Sequence, residues 1–207
     1  MKLGTSHRIP TLLYVDDNAD DRRMMELLVE KALATFHLSI VDSLDEAVDY
    51  VSGDERFQNR HDYPEADLVL LDFDLGKGTA VDFLLWRRKQ PAHRRPPVAV
   101  FSGTENVGDF QRCVDAGADA CLQKPRDNSA WEEIVAALQQ CLCSGVPNLE
   151  ALGSLKSPTL VQLRLRRERG RLLEQRRAIS RYLDAVRASQ KDEKRKFPFP
   201  ARRCPGK

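Results

Sequence analysis

The chain has 207 residues, about one and a half times the usual domain length, so one domain with an appendage, or two small ones, is expected. Its formal net charge of +2 conceals an asymmetry: residues 1–143 carry 16 Lys and Arg against 25 Asp and Glu, a net −9, whereas residues 144–207 carry 17 against 6, a net +11. The longest apolar run, 134–138, has five residues, which excludes a transmembrane helix of about 20. The first ten residues lack the apolar stretch of a secretory signal. Five cysteines, Cys113, Cys121, Cys141, Cys143 and Cys204, with no CxxC spacing, are expected to be reduced thiols in the cytoplasm.

Short apolar runs rich in Val, Leu and Ile predict strands at Thr11–Val15, 38–41, 67–71, 98–101 and 120–122. Helix-period segments separate them. The first has Met24, Leu27, Leu28 and Leu33, and the second Leu44, Ala47, Val48 and Val51. The third has Val81, Leu84 and Leu85, the fourth Phe110, Cys113 and Val114, and the fifth Ile134, Val135, Leu138, Cys141 and Leu142. Five strands alternating with five helices predict an α/β fold, a doubly wound five-stranded parallel sheet, because each crossover must return the chain to its starting edge. This domain is expected to span 1–143. Residues 144–157, with Gly145, Pro147, Gly153 and several serines, read as a linker. Ser157-Pro158 then reads as a helix start. A long basic amphipathic helix is expected over 158–190, roughly 48 Å of it at 1.5 Å per residue, interrupted only by Gly170. A disordered basic tail follows over 191–207.

The strand ends carry the chemistry. Strand one runs into Asp16-Asp17, strand three into Asp72, strand four into Ser102, and strand five into Lys124-Pro125. In a parallel sheet these residues project from one edge, where open α/β folds place their sites. Three crowded carboxylates repel one another unless a hard divalent cation sits among them, and Mg²⁺ suits such an oxygen-rich site. Lysine offers a point charge, and serine a hydroxyl, for phosphoryl oxygens. Asp72 would then be a nucleophile that accepts a phosphoryl group. Any single acid at a strand end is usually a solvated turn former; three acids, a serine and a lysine at strand ends, in this order, are not explained that way. His7, His37, His61 and His93 lie in unrelated segments and offer no ligand set.

Residues 9–143 resemble the receiver domain of two-component response regulators. The resemblance rests on Tyr14-Val15-Asp16-Asp17, Leu70-Leu71-Asp72, Phe101-Ser102-Gly103 and Gln123-Lys124-Pro125. It implies a flavodoxin-like fold and phosphorylation of Asp72 by a sensor histidine kinase. It also implies Mg²⁺ held by Asp17, Asp72 and the backbone carbonyl of Asp74, with Asp16 acting through water, and a phosphoryl group bound by Ser102 and Lys124. The long segment 51–65 resembles the single-domain regulators paired with phytochrome-type kinases. Three positions depart from the pattern. Cys121 stands where receivers carry an aromatic switch residue, and Gly76 replaces the usual proline, which predicts a looser loop. Asp74 adds an acid expected to tune the lifetime of the phosphoryl group. Asp72-x-Asp74 also resembles the aspartate-nucleophile phosphatases of the haloacid dehalogenase superfamily, but that superfamily puts its nucleophile on the first strand and its acidic pair after the lysine.

The basic third leaves its output open between several partners. Leu165, Leu172, Ile179 and Val186 repeat every seven residues, while the positions three on, Glu168, Gln175 and Tyr182 among them, are mostly polar. A homodimer or a partner-binding helix is one expectation. Eight arginines from Arg164 to Arg181, with the interleaved Lys194 to Pro200, make nucleic acid or an anionic membrane surface the competing partner, although no helix-turn-helix is visible. The basic helix could also dock on its own acidic receiver. The expected function is that of a bacterial, cytoplasmic response regulator, not an enzyme beyond its own phosphorylation and dephosphorylation.

Overall fold

The structure is a computed structural model and describes residues 8–104, 106–143 and 147–154. The helix expected at 158–190 and the tail at 191–207 lie outside these residues, as do the dimer, nucleic-acid, membrane and self-docking expectations that rest on them.

Five strands, β1 (Thr11–Val15), β2 (His37–Val41), β3 (Leu68–Asp72), β4 (Val98–Ser102) and β5 (Ala120–Gln123), alternate with five helices. These are α1 (Ala19–Lys31), α2 (Leu44–Ser52), α3 (Ala80–Lys89), α4 (Val107–Ala116) and α5 (Asn128–Leu142). The sheet is wholly parallel in the order β2-β1-β3-β4-β5. Its register sets Val15 beside Val41 and Leu71, Asp72 beside Phe101, and Ser102 beside Gln123. The carboxyl ends of β1, β3, β4 and β5 therefore lie along one edge.

Successive strand residues face opposite sides, and both sides are covered. Leu13, Val15, Val69, Leu71 and Val100 pack with Ala47 and Tyr50 of α2, Phe83 and Leu84 of α3, and Phe110 and Cys113 of α4. Leu12, Tyr14, Leu70, Ala99 and Phe101 pack with Met25 and Leu28 of α1 and with Trp131, Ile134 and Leu138 of α5. Burial on both faces is why the strands read as continuous apolar runs. Four helices begin on a side-chain cap close behind a strand end: Asn18 for α1, Ser43 for α2, Asn106 for α4 and Asp127 for α5. Each cap satisfies amide hydrogens that would otherwise be orphaned.

The segment between α2 and β3 is ordered by Arg60, whose Nη1 donates to the Tyr50 carbonyl at 2.9 Å and Nη2 to that of Val51 at 3.3 Å, closing the end of α2. Gly53, at φ +78°, makes room for it, since a Cβ there would meet Arg60 Nη2 at 2.5 Å.

Two expectations change. Leu33, expected on the buried face of the first helix, is 84% exposed at φ +47°, because α1 stops at Lys31 and a left-handed turn redirects the chain to β2. Met25, not Leu27, is the buried partner of Leu28. Of the segment expected as a linker, 144–157, the structure describes residues 147–154. A 3-10 turn at Ala151–Ser154 follows α5, Asn148 donates its amide hydrogen to the Cys141 carbonyl at 2.7 Å, and Leu152 is fully buried in the α1/α5 core.

Candidate functional site

Asp16 follows the last residue of β1 and is fully buried. Its Oδ1 accepts from the Asn18 amide at 3.0 Å, and its Oδ2 accepts from the Tyr14 hydroxyl and lies 2.7 Å from Lys124 Nζ. Its carbonyl accepts from Arg22 Nη1 at 2.7 Å, which ties the strand end to α1. Asp17, the next residue, is exposed. Asp72 ends β3 and is 8% exposed; its Oδ1 accepts from the Phe73 amide at 2.8 Å and lies 3.2 Å from Lys124 Nζ. One carboxylate oxygen from each of Asp16, Asp17 and Asp72 lies within 4.8 Å of the others.

Lys124 is held from β4 by its amide, which donates to the Ser102 carbonyl at 2.8 Å. Its ammonium meets Asp16, Asp72 and also Asp21 Oδ2, the last at 2.9 Å. Ser102 is buried at the end of β4, one residue beyond the register partner of Asp72, and its Oγ accepts from the Thr104 amide at 3.2 Å. The strand ends thus bring Asp16, Asp17, Asp72, Ser102 and Lys124 to one place, as the sequence predicts.

The electrostatics follow from burial. Removal from water, with repulsion by Asp16, pushes the Asp72 carboxyl up to about 6 although Lys124 and the Phe73 amide pull the other way. Burial alone would lower the Lys124 ammonium, but its hydrogen bond to Asp16, the charge of Asp72 and its bond to Asp21 outweigh that and raise it. Burial, then the charge and hydrogen bond of Asp16, hold the Tyr14 phenol far above its ordinary range, so it stays a donor.

Tyr14 and Asp21 belong to this network, and sequence reasoning did not find them. A signal existed for Tyr14, because residues two apart on a strand share a face. Asp21, in the first turn of α1, reads in the sequence as an ordinary complement to the helix dipole.

The three departures have structural counterparts. Gly76 adopts φ +69°, which proline, locked near −65°, cannot reach. A Cβ there would come 3.4 Å from Asp17 Oδ2. Asp74 is exposed and its Oδ1 accepts from the Gly76 amide at 3.3 Å, so its carboxylate serves the turn and is not among the three clustered ones. Cys121 is buried, with its Sγ 4.0 Å from the Phe110 carbonyl in the core beneath α4.

Asp72 stands on the third strand and the acidic pair follows the first, the reverse of the phosphatase order. Among the described residues no helix is long and apolar enough to cross a membrane.

The sequence profile of the response regulator receiver domain matches residues 12–138. The two-component response regulator ORR1 of Oryza sativa subsp. indica is 27% identical over 142 residues, a match covering 66% of this chain and 60% of the relative's length. The phosphorylated cyanobacterial phytochrome response regulator RcpA superposes with a TM-score of 0.59 at 23% identity, over 67% of this chain and 97% of that one. The Mn²⁺-bound form of response regulator Rcp1 does so at 0.57 and 21%, over 66% and 96%. Both solved structures share the five-stranded parallel fold. With the profile spanning more than half of the sequence, the chain belongs to the response regulator receiver domain family.

Proposed function

We propose that the chain accepts a phosphoryl group on Asp72 from a sensor histidine kinase and passes the signal on through protein contacts. The observation that carries this reading is the Asp72 carboxylate, buried at the sheet edge with one oxygen held by the Phe73 amide and Lys124. In the transfer, a carboxylate oxygen of Asp72 attacks the phosphorus of a phosphohistidine. The P–N bond breaks, its electron pair returns to the imidazole nitrogen, and an acyl phosphate remains on Asp72. Lys124 and Ser102 bind the phosphoryl oxygens.

The clustered oxygens of Asp16, Asp17 and Asp72 suit a hard cation, so the carboxylates of Asp17 and Asp72 and the Asp74 backbone carbonyl would hold Mg²⁺ directly. Asp16 contributes through water, in keeping with oxygens that already take hydrogen bonds from Asn18, Tyr14 and Lys124. When bound, Mg²⁺ offsets the charge on the transferring oxygens. A phytochrome-type kinase is the proposed donor, supported by the fold shared with RcpA and by the long segment before β3. The reading implies a cytoplasmic protein whose only chemistry is on its own Asp72, with 1–143 as the phosphoacceptor and the basic residues after it as output.

The test is incubation of the full chain with acetyl phosphate and Mg²⁺, followed by intact-mass measurement. Wild type should gain one phosphoryl group, and Asp72→Ala or a chelator should prevent it. An unlabelled wild type, or a labelled Asp72→Ala, overturns the reading.

A further inference from the structure

Lys124 Nζ carries three protons and stands before three carboxylates: Asp16 at 2.7 Å, Asp21 at 2.9 Å and Asp72 at 3.2 Å. Two of these belong to the acidic cluster, but Asp21 does not. It comes from the first turn of α1, a rigid support: Asn18 caps the helix, Arg22 bonds the Asp16 carbonyl, and Met25 and Leu28 bury its inner face. Lys124 is itself only 11% exposed, so water offers its ammonium few alternatives. With Asp21 removed, the Lys124 ammonium is left with the Asp16 and Asp72 oxygens as its carboxylate partners. Those are the oxygens a divalent cation needs, and a cation there must compete with the ammonium for their lone pairs.

We propose that Asp21 is a positioning residue for divalent-cation binding: it draws the Lys124 ammonium toward α1 and leaves Asp17 and the second Asp72 oxygen, the one that neither Lys124 nor the Phe73 amide engages, open to Mg²⁺. The proposal rests on the cation site read above. It gives Asp21 a role that acts entirely through Lys124, which separates it from a general contribution of negative charge. Its effect must therefore depend on Lys124 being present.

The experiment is calorimetric titration of the full chain with MgCl₂ at neutral pH, with each variant's fold checked by circular dichroism. Asp21→Asn should weaken Mg²⁺ binding by roughly tenfold, the range in which supporting residues around a metal act. Asp21→Glu, which keeps the carboxylate, should recover much of the loss. In a Lys124→Met background, Asp21→Asn should have little further effect. Unchanged affinity in Asp21→Asn overturns the proposal, and so does an equal loss in both backgrounds, which would be charge alone. Asp17→Asn separates the two levels. If it abolishes binding while Asp21→Asn does nothing, only this proposal fails. If Asp17→Asn leaves binding intact, the cation site itself is wrong.

Discussion

Tyr14 donates its phenolic hydrogen to Asp16 Oδ2, two residues on and just past the end of β1, so a wholly buried hydroxyl and a wholly buried carboxylate satisfy one another at the sheet edge. The ring meanwhile packs near Phe101, with centroids 6.4 Å apart. Tyr14→Phe keeps that packing and removes one hydrogen bond to a charged acceptor, a loss of about 1.5–3 kcal/mol. Urea denaturation at pH 7 should show the midpoint falling by the corresponding amount. A variant as stable as wild type would mean that Lys124 and the Asn18 amide alone satisfy Asp16.

Asp72 gives stability a pH dependence of the opposite sign to that of most paired carboxylates. Its carboxyl titrates at about 6 in the folded protein against an ordinary 3.8. Below pH ~4 both states are protonated. Between ~4 and ~6 the folded state keeps a proton that the unfolded chain has lost, so folding stability falls as pH rises through that window. The shift corresponds to about 2–3 kcal/mol lost by pH 7. Asp72→Asn, measured in chelator, should therefore be about 2 kcal/mol more stable than wild type at pH 7, and the difference should shrink toward zero near pH 4. A difference independent of pH would show that the gain does not come from the ionised carboxylate.

The parts of this molecule that the sequence reveals are those where one physical cause acts on neighbouring residues. Strands buried on both faces must be apolar throughout, so Leu68–Asp72 and Val98–Ser102 stand out as runs, and parallel connection alone brings their ends together. Asp16, Asp72, Ser102 and Lys124 were readable for that reason. Asp21 was not, because its contact with Lys124 joins the first turn of α1 to the residue after β5, across 103 residues. Leu33 misled because a left-handed turn ends the helix while the apolar spacing continues. At Gly76 the sequence shows only that the usual proline is missing, not that the backbone takes φ +69°, which proline cannot reach.

Asp74 offers a test of charge separated from shape. Its Oδ1 accepts from the Gly76 amide, and asparagine presents an acceptor of the same geometry, so Asp74→Asn should leave the turn and the stability unchanged. An exposed carboxylate two residues from the acyl phosphate can orient and deprotonate an attacking water. Once phosphorylated, Asp74→Asn should therefore lose its phosphoryl group severalfold more slowly than wild type, followed by intact mass after removal of the donor. Equal lifetimes would show that Asp74 serves the turn alone.

Leu152 offers a test of where the domain ends. It is fully buried, and Cys141 and Leu142 of α5, in the same core, are also buried. The Asn148 amide bonded to the Cys141 carbonyl holds the returning segment against the helix end. If residues 147–154 are integral to the fold, Leu152→Ala leaves a cavity and lowers global stability by about 2–4 kcal/mol. If they merely rest on the surface, the segment detaches first and the loss stays below about 1 kcal/mol, because local opening limits what a buried contact can contribute. The backbone hydrogen bond and the complete burial favour the larger value. Urea midpoints for Leu152→Ala and for a chain terminated after Cys143 should fall together. A terminated chain with wild-type stability would return the boundary to residue 143 and reduce 147–154 to a linker.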